Sequence, residues 1–205
     1  MKNIPIAPLA AGFVFLSSSA LANTCTYEVQ KDSTQVGWTA YKTSQKVAVQ
    51  GSFPKAAISG PSSKKELKAL LEGAKADISL NEVADIHTEN PGRDNTLFSF
   101  FFSLFKDKKV KASVEKVKGS DTEGDFELKL SMNGVTKAVS MHYIRDNAGK
   151  LEAKGELDIL DYKLDKAHES LNKACNVLHK GADGVSKTWT NVGLRLTSII
   201  TKNCK

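Results

Sequence analysis

The chain predicts an all-β fold, an antiparallel sheet of about eight or nine strands closed into a barrel and interrupted by a few short helices. Three observations predict it. Apolar and polar residues alternate at period two along several separate stretches, which is the signature of a strand with one buried face. Turn-forming clusters fall between those stretches. The number of strands is the one at which antiparallel sheets commonly close on themselves. No repeat or linker divides the chain into further units.

Before the first strand, Lys2, an apolar run from Ile4 to Leu16 and the small-x-small pattern Ala20-Leu21-Ala22 read as an export signal cleaved after Ala22. The run is short and carries Pro5 and Pro8, which argues against a retained anchor. Residues 1–22 are therefore read as a signal peptide and 23–205 as one domain, periplasmic or secreted.

Strands follow near Tyr27 to Val29, at Val36-Trp38-Ala40, at Val47-Val49-Gly51-Phe53 and at Ala76-Ile78-Leu80. The second half adds Val110-Ala112-Val114, Phe126-Leu128-Leu130-Met132, Val139-Met141-Tyr143, Leu151-Ala153-Gly155-Leu157-Ile159 and Val192-Leu194-Leu196. Asp121 to Gly124, Asn133-Gly134 and Asp146 to Gly149 supply turns between neighbours.

Three helices are expected between strands. Ser63-Lys64-Lys65-Glu66 has the spacing of a capping box ahead of Leu67, Leu70 and Leu71, with Gly73 as the stop. Residues 165–181 place Ala167, Leu171, Ala174, Cys175 and Leu178 on one face. Between them, Leu97 to Phe105 holds seven large apolar side chains and is followed by Lys106, Lys108, Lys109 and Lys111. It is under half of the roughly 20 residues a membrane span needs. Read as a helical lid over residues 94–105, it requires a hydrophobic receptacle, and one mouth of a barrel is such a receptacle. Asp94 is expected either to cap this helix, with Arg93 a surface residue, or to leave Arg93 facing a polar head group at the mouth.

Composition narrows the function classes. The net charge of +6 is spread among alternating lysines and acids, a pattern of solvated strand faces that excludes nucleic acid as a partner. His87, His142, His168 and His179 are scattered, and Glu156 and Asp158 share an outward strand face. Cys175 and His179 stand at helical i, i+4 spacing, but Cys175 lies on the apolar face, where a small buried thiol is the usual occupant. No phosphate-binding glycine loop and no nucleophile elbow is present. No catalytic residue, metal ligand or cofactor is assigned, and the protein is read as a binder.

Among three cysteines, Cys25 and Cys204 sit at the two ends of the exported chain. First and last strands of an up-and-down barrel close against each other antiparallel, so these two are expected to form a disulfide, with pairings through Cys175 as the competitors.

Together, Asp32 to Trp38, Gly51-Ser52-Phe53, Arg93-Asp94 with Leu97, the pair Phe101-Phe102 and Leu130 to Lys137 resemble the YceI family across essentially the whole chain after the signal. Ala138 stands where members often have proline, and 165–181 looks like an enlargement between the last two strands. The resemblance implies an exported bacterial protein with an eight-stranded lipocalin-like barrel that holds a polyisoprenoid or similar long amphiphile, quinone-like in kind. By alternation the interior then comprises Val36, Trp38, Val114, Phe126, Leu128, Leu130, Val139, Met141, Leu157 and Ile159. Arg93, Phe98, Phe101 and Phe102 are expected at the mouth. Small residues in the inward register (Ala40, Gly51, Ala112, Ala153 and Gly155) are expected to leave room for a narrow ligand. Partner expectations are a hydrophobic lipid, transient contact of the lysine-flanked lid with a membrane surface, and a second copy of the chain in a homodimer. The competing reading is an exported stress or interaction protein whose barrel is filled with side chains and carries no lipid cargo.

Overall fold

A computed structural model describes residues 24–205; the expected signal peptide lies outside the described residues. The strands are β1 (Cys25–Val29), β2 (Gln35–Lys42), β3 (Val47–Ser52), β4 (Ala57–Ser59), β5 (Ser63–Lys64), β6 (Lys75–Ser79), β7 (Lys109–Gly119), β8 (Glu123–Met132), β9 (Val135–Arg145), β10 (Lys150–Asp158) and β11 (Asn191–Cys204). Helices α1 (Leu67–Leu71), α2 (Pro91–Phe100) and α3 (Asp165–Ala174) lie in the connections.

The sheet is antiparallel, in the order β3-β2-β11-β10-β9-β8-β7-β6-β4, and curls around an apolar interior in a lipocalin-like fold. β11 explains how the termini meet. Its first half pairs with β2 and its last five residues pair with β1, so Cys25 lies opposite Cys204 and the two are joined by a disulfide. Closure differs from the simple expectation. β3 and β4, the two ends of the order, share no ladder; instead β1 turns away to pair with β5, and Ser52 exchanges backbone hydrogen bonds of 2.9 and 3.0 Å with His87, just before α2.

Two helix expectations are corrected. Ser63 is no cap: it belongs to β5 and pairs with Glu28, because extended backbone there completes a ladder with β1. The N-cap of α1 is Glu66, without a side-chain bond, although Leu67, Leu70 and Leu71 are buried as the spacing requires. The second correction concerns 165–181. α3 stops at Ala174 with Cys175 as its C-cap, and Leu178, expected on the inner face, is 71% exposed. Residues 175–190 fold back instead on the hairpin turn at 43–46, with Thr43 donating to the carbonyl of Lys187 and Trp189 to that of Tyr41.

Chain direction fixes the ends of the barrel. The turns at 43–46 and 133–134, helices α2 and α3, and residues 175–190 all lie at one end, where β2, β6, β8 and β10 finish. The loops at 30–34, 120–122 and 146–149 lie at the other.

Candidate functional site

Inside the curl is a cavity of about 810 Å³, so side chains do not fill the barrel. Its wall runs the length of the fold, from Phe101, Phe102 and Phe105 at the α2 end to Lys31, Thr34 and Ser198 at the other. That volume lies in the range of small-molecule sites, roughly 300–1,000 Å³.

The structure brings most of the expected interior residues to this wall. β2 contributes Val36 and Trp38, β7 Val114, β8 Phe126, Leu128 and Leu130, β9 Met141, and β10 Leu157. Ile159 also lines it, although it opens a short 3-10 turn rather than continuing the strand. Three expected residues stand elsewhere. Val139 is buried but is not part of the cavity wall. Phe98 packs against the core without reaching the cavity, and Leu97 takes its place because one residue along a helix turns the side chain by about 100°. Arg93 hydrogen-bonds to the carbonyl of Thr88, within its own connection, and is absent from the wall.

The expected lid over 94–105 is shorter and broken. Asn90, rather than Asp94, is the N-cap: its side chain accepts from the Arg93 backbone at 2.9 Å, and Pro91 occupies the first turn. Asp94 is buried and accepts from the Thr88 hydroxyl. α2 ends at Phe100; Phe101, with φ −132° and ψ −68°, breaks the helix before a single 3-10 turn at Phe102–Leu104. The break lets Phe101, Phe102 and Phe105 form one cluster, with edge-on or tilted ring pairs at 5.1, 5.3 and 5.5 Å, and Phe53 adds a fourth ring 6.0 Å from Phe102. Phe102 is 7% exposed and belongs to the core.

Small inward residues do not all make room. A methyl on Gly51 would lie 2.2 Å from the Trp38 indole, and one on Gly155 would lie 2.5 Å from the Met141 sulfur. Large neighbours already occupy those gaps. Ala40 and Ala112 do face the cavity.

Arg195 and Ser198 bring polar groups to the wall from β11, whereas His168 and Thr188 were not found by strand alternation because they sit in the connection between β10 and β11. Leu164, His168 and Leu171 of the α3 region follow helical spacing onto one face, the signal that places His168 inward. His168 Nε2 lies 2.9 Å from the Thr188 carbonyl, which only accepts, so Nε2 carries the proton. The Thr188 hydroxyl donates to Asn172 and accepts from His179 Nδ1 at 2.7 Å. Burial, aided by the Lys42 charge, holds His179 below its ordinary range, and burial pushes the Cys175 thiol up. Tyr162, whose hydroxyl is buried without a partner, is pushed up to about 12 by burial. Among the described residues no group of three or more His, Cys, Asp or Glu is arranged to hold a metal ion.

Comparison with known proteins places this architecture. The YceI-like domain model matches residues 27–189. A solved polyisoprenoid-binding domain from Saccharophagus degradans, described as implicated in plant cell wall breakdown, is similar at 14% identity with a TM-score of 0.55, covering 88% of this chain and 99% of that one. BcnA from Burkholderia cenocepacia is similar at 12% identity with a TM-score of 0.58, covering 85% and 99%. At these identities the likeness is one of fold. A search of curated protein sequences found no match.

Proposed function

The chain belongs to the YceI-like family, and from that premise we propose that it is an exported binding protein, without enzymatic activity, that carries a polyisoprenoid or similar long amphiphile, quinone-like in kind, in the barrel interior. The observation that carries the proposal is the cavity of about 810 Å³, walled chiefly by aliphatic and aromatic side chains and running the length of the barrel. An apolar cavity of this size in water gains stability when a hydrocarbon chain replaces solvent, roughly 25 cal/mol for each Å² of apolar surface removed. The residues at its two ends include polar groups, which suits a ligand with one polar head and one long tail. Export is supported by the leader pattern in the sequence and by the Cys25–Cys204 disulfide, which persists in oxidising compartments.

The test is native mass spectrometry of protein purified from its own host, followed by organic extraction. A mass above that of the processed chain, lost on extraction and recovered as a lipid, is the expected result; a bare chain that also takes up no added polyprenol would sink the proposal. Phe101→Ala sharpens it. Phe101 is half-buried and lines the cavity, so its truncation should leave the protein folded and lower the lipid load severalfold, whereas Phe102→Ala removes a core ring at a cost of about 3–5 kcal/mol.

A further inference from the structure

The segment between α3 and β11 ends in an exposed apolar tip. Val177 is 79% exposed, Leu178 71% and Val185 53%, and Val47, at the end of the adjoining hairpin, is 47% exposed. The tip is a built structure. The carbonyl of Val185 accepts from Gly181, Lys180 bridges Ser186, and Asp183 accepts from the Ser44 hydroxyl and the Val185 backbone, which ties the tip to the turn at 43–46.

The same segment carries Lys180 and Lys187, the end of α3 carries Lys173, and the adjoining hairpin carries Lys42 and Lys46. Among the described residues none of the five is within ion-pairing distance of a carboxylate, although lysines elsewhere on the barrel make such pairs. Lys46 and Lys187 both lie over the Trp189 ring, at 4.4 and 3.6 Å from its centroid. Two ammonium groups on one indole, neither within ion-pairing distance of a carboxylate among the described residues, leave a local positive field, with Asp183 the one acid of the 175–187 segment. Trp189 and Thr188 also line the cavity, so the tip is continuous with one end of the binding space.

We propose that this tip is a docking surface for an anionic lipid bilayer, with Val177, Leu178 and Val185 entering the interface and the lysines engaging headgroups. The inference rests on the lipid-carrier reading and deepens it by assigning the face through which cargo would be exchanged. Charge complementarity selects the occupant: unpaired lysines together with exposed aliphatic side chains suit an anionic headgroup layer over hydrocarbon. The basic run at 106–111 is a weaker candidate. Lys111 there pairs with Asp77 at 3.7 Å, and the run's apolar neighbours Phe100 and Leu104, 43% and 49% exposed, stand out far less than Val177 and Leu178.

The test is co-sedimentation of the exported, disulfide-bonded protein with vesicles of phosphatidylcholine alone or containing phosphatidylglycerol, with native mass spectra recorded on the same preparations. The wild type should partition to the anionic vesicles and lose this binding as salt rises. Val177→Ser/Leu178→Ser and, separately, Lys46→Gln/Lys173→Gln/Lys180→Gln should each lower partitioning at least about tenfold, with lipid load and melting temperature unchanged, while Phe100→Ser/Leu104→Ser partitions as the wild type does. Equal binding to neutral and anionic vesicles, tip variants that bind normally, or loss of binding only in the Phe100/Leu104 variant would overturn the proposal. A loaded protein that ignores vesicles sinks the docking surface and leaves the carrier reading intact. An unloaded protein whose vesicle binding depends on the tip does the reverse.

Discussion

Gly51 is held at its position by a neighbour rather than by its own backbone. Glycine in a strand interior ordinarily weakens it, but here the Trp38 indole lies across the site, so near that any Cβ would overlap the ring. Trp38 is buried and its indole N–H has no partner, so the ring is placed by shape alone. Gly51→Ala must push the indole toward the cavity or spread β2 from β3. The expected cost is about 1–3 kcal/mol, read as a lower urea midpoint with shifted tryptophan fluorescence. A variant as stable as the wild type, with an unchanged spectrum, would show that the ring yields freely. The alternation of β2 places Trp38 inward correctly, but only the cross-strand pair reveals why position 51 is glycine.

Single elements carry breaks of pattern that period counting misses. In β7, Val110, Ala112 and Val114 follow strict alternation, and Val117 should then point outward; it is 1% exposed. The register against β8 slips between Glu115 and Lys118, with Lys116 at φ 52°, and this bulge turns Val117 inward. Two substitutions test the device in opposite directions. Lys116→Gly should stabilise the protein by about 0.5–1 kcal/mol by relieving the left-handed conformation, since the exposed ion pair it removes, with Glu127, is worth little. Val117→Ala should cost about 1.5–3 kcal/mol. Chemical denaturation reads both; a neutral Val117→Ala would mean that the bulge buries nothing of consequence. The phenylalanine segment behaves similarly. Its composition calls for burial, yet the interruption at Phe101 decides which rings meet the cavity and which, like Phe100, stay at the surface.

Across the whole molecule the largest constraint is the bond between the termini. Cys25 and Cys204 are 179 residues apart in the chain, and β1, held by β11 and a two-residue pairing with β5, would otherwise fray. On the chain-entropy account the disulfide stabilises by about 5 kcal/mol, so Cys25→Ser/Cys204→Ser should lower the unfolding free energy by nearly that amount and leave Cys175 as a buried thiol. Denaturation of wild type with and without reductant offers the same comparison; coincident curves would count against it. What the sequence determined by itself is what local chemistry encodes. Alternation set the inward face of nearly every strand, turn residues set the hairpins, and antiparallel closure set the pairing of the terminal cysteines. Tertiary structure alone decided that Gly51 and Gly155 are filled by Trp38 and Met141, that Ser63 joins a strand, that α3 stops at Ala174, and that His168 and Thr188 meet in the wall. The reason is physical: a side chain's face follows from its own few neighbours along the chain, whereas the space it leaves or fills depends on residues brought beside it from distant strands.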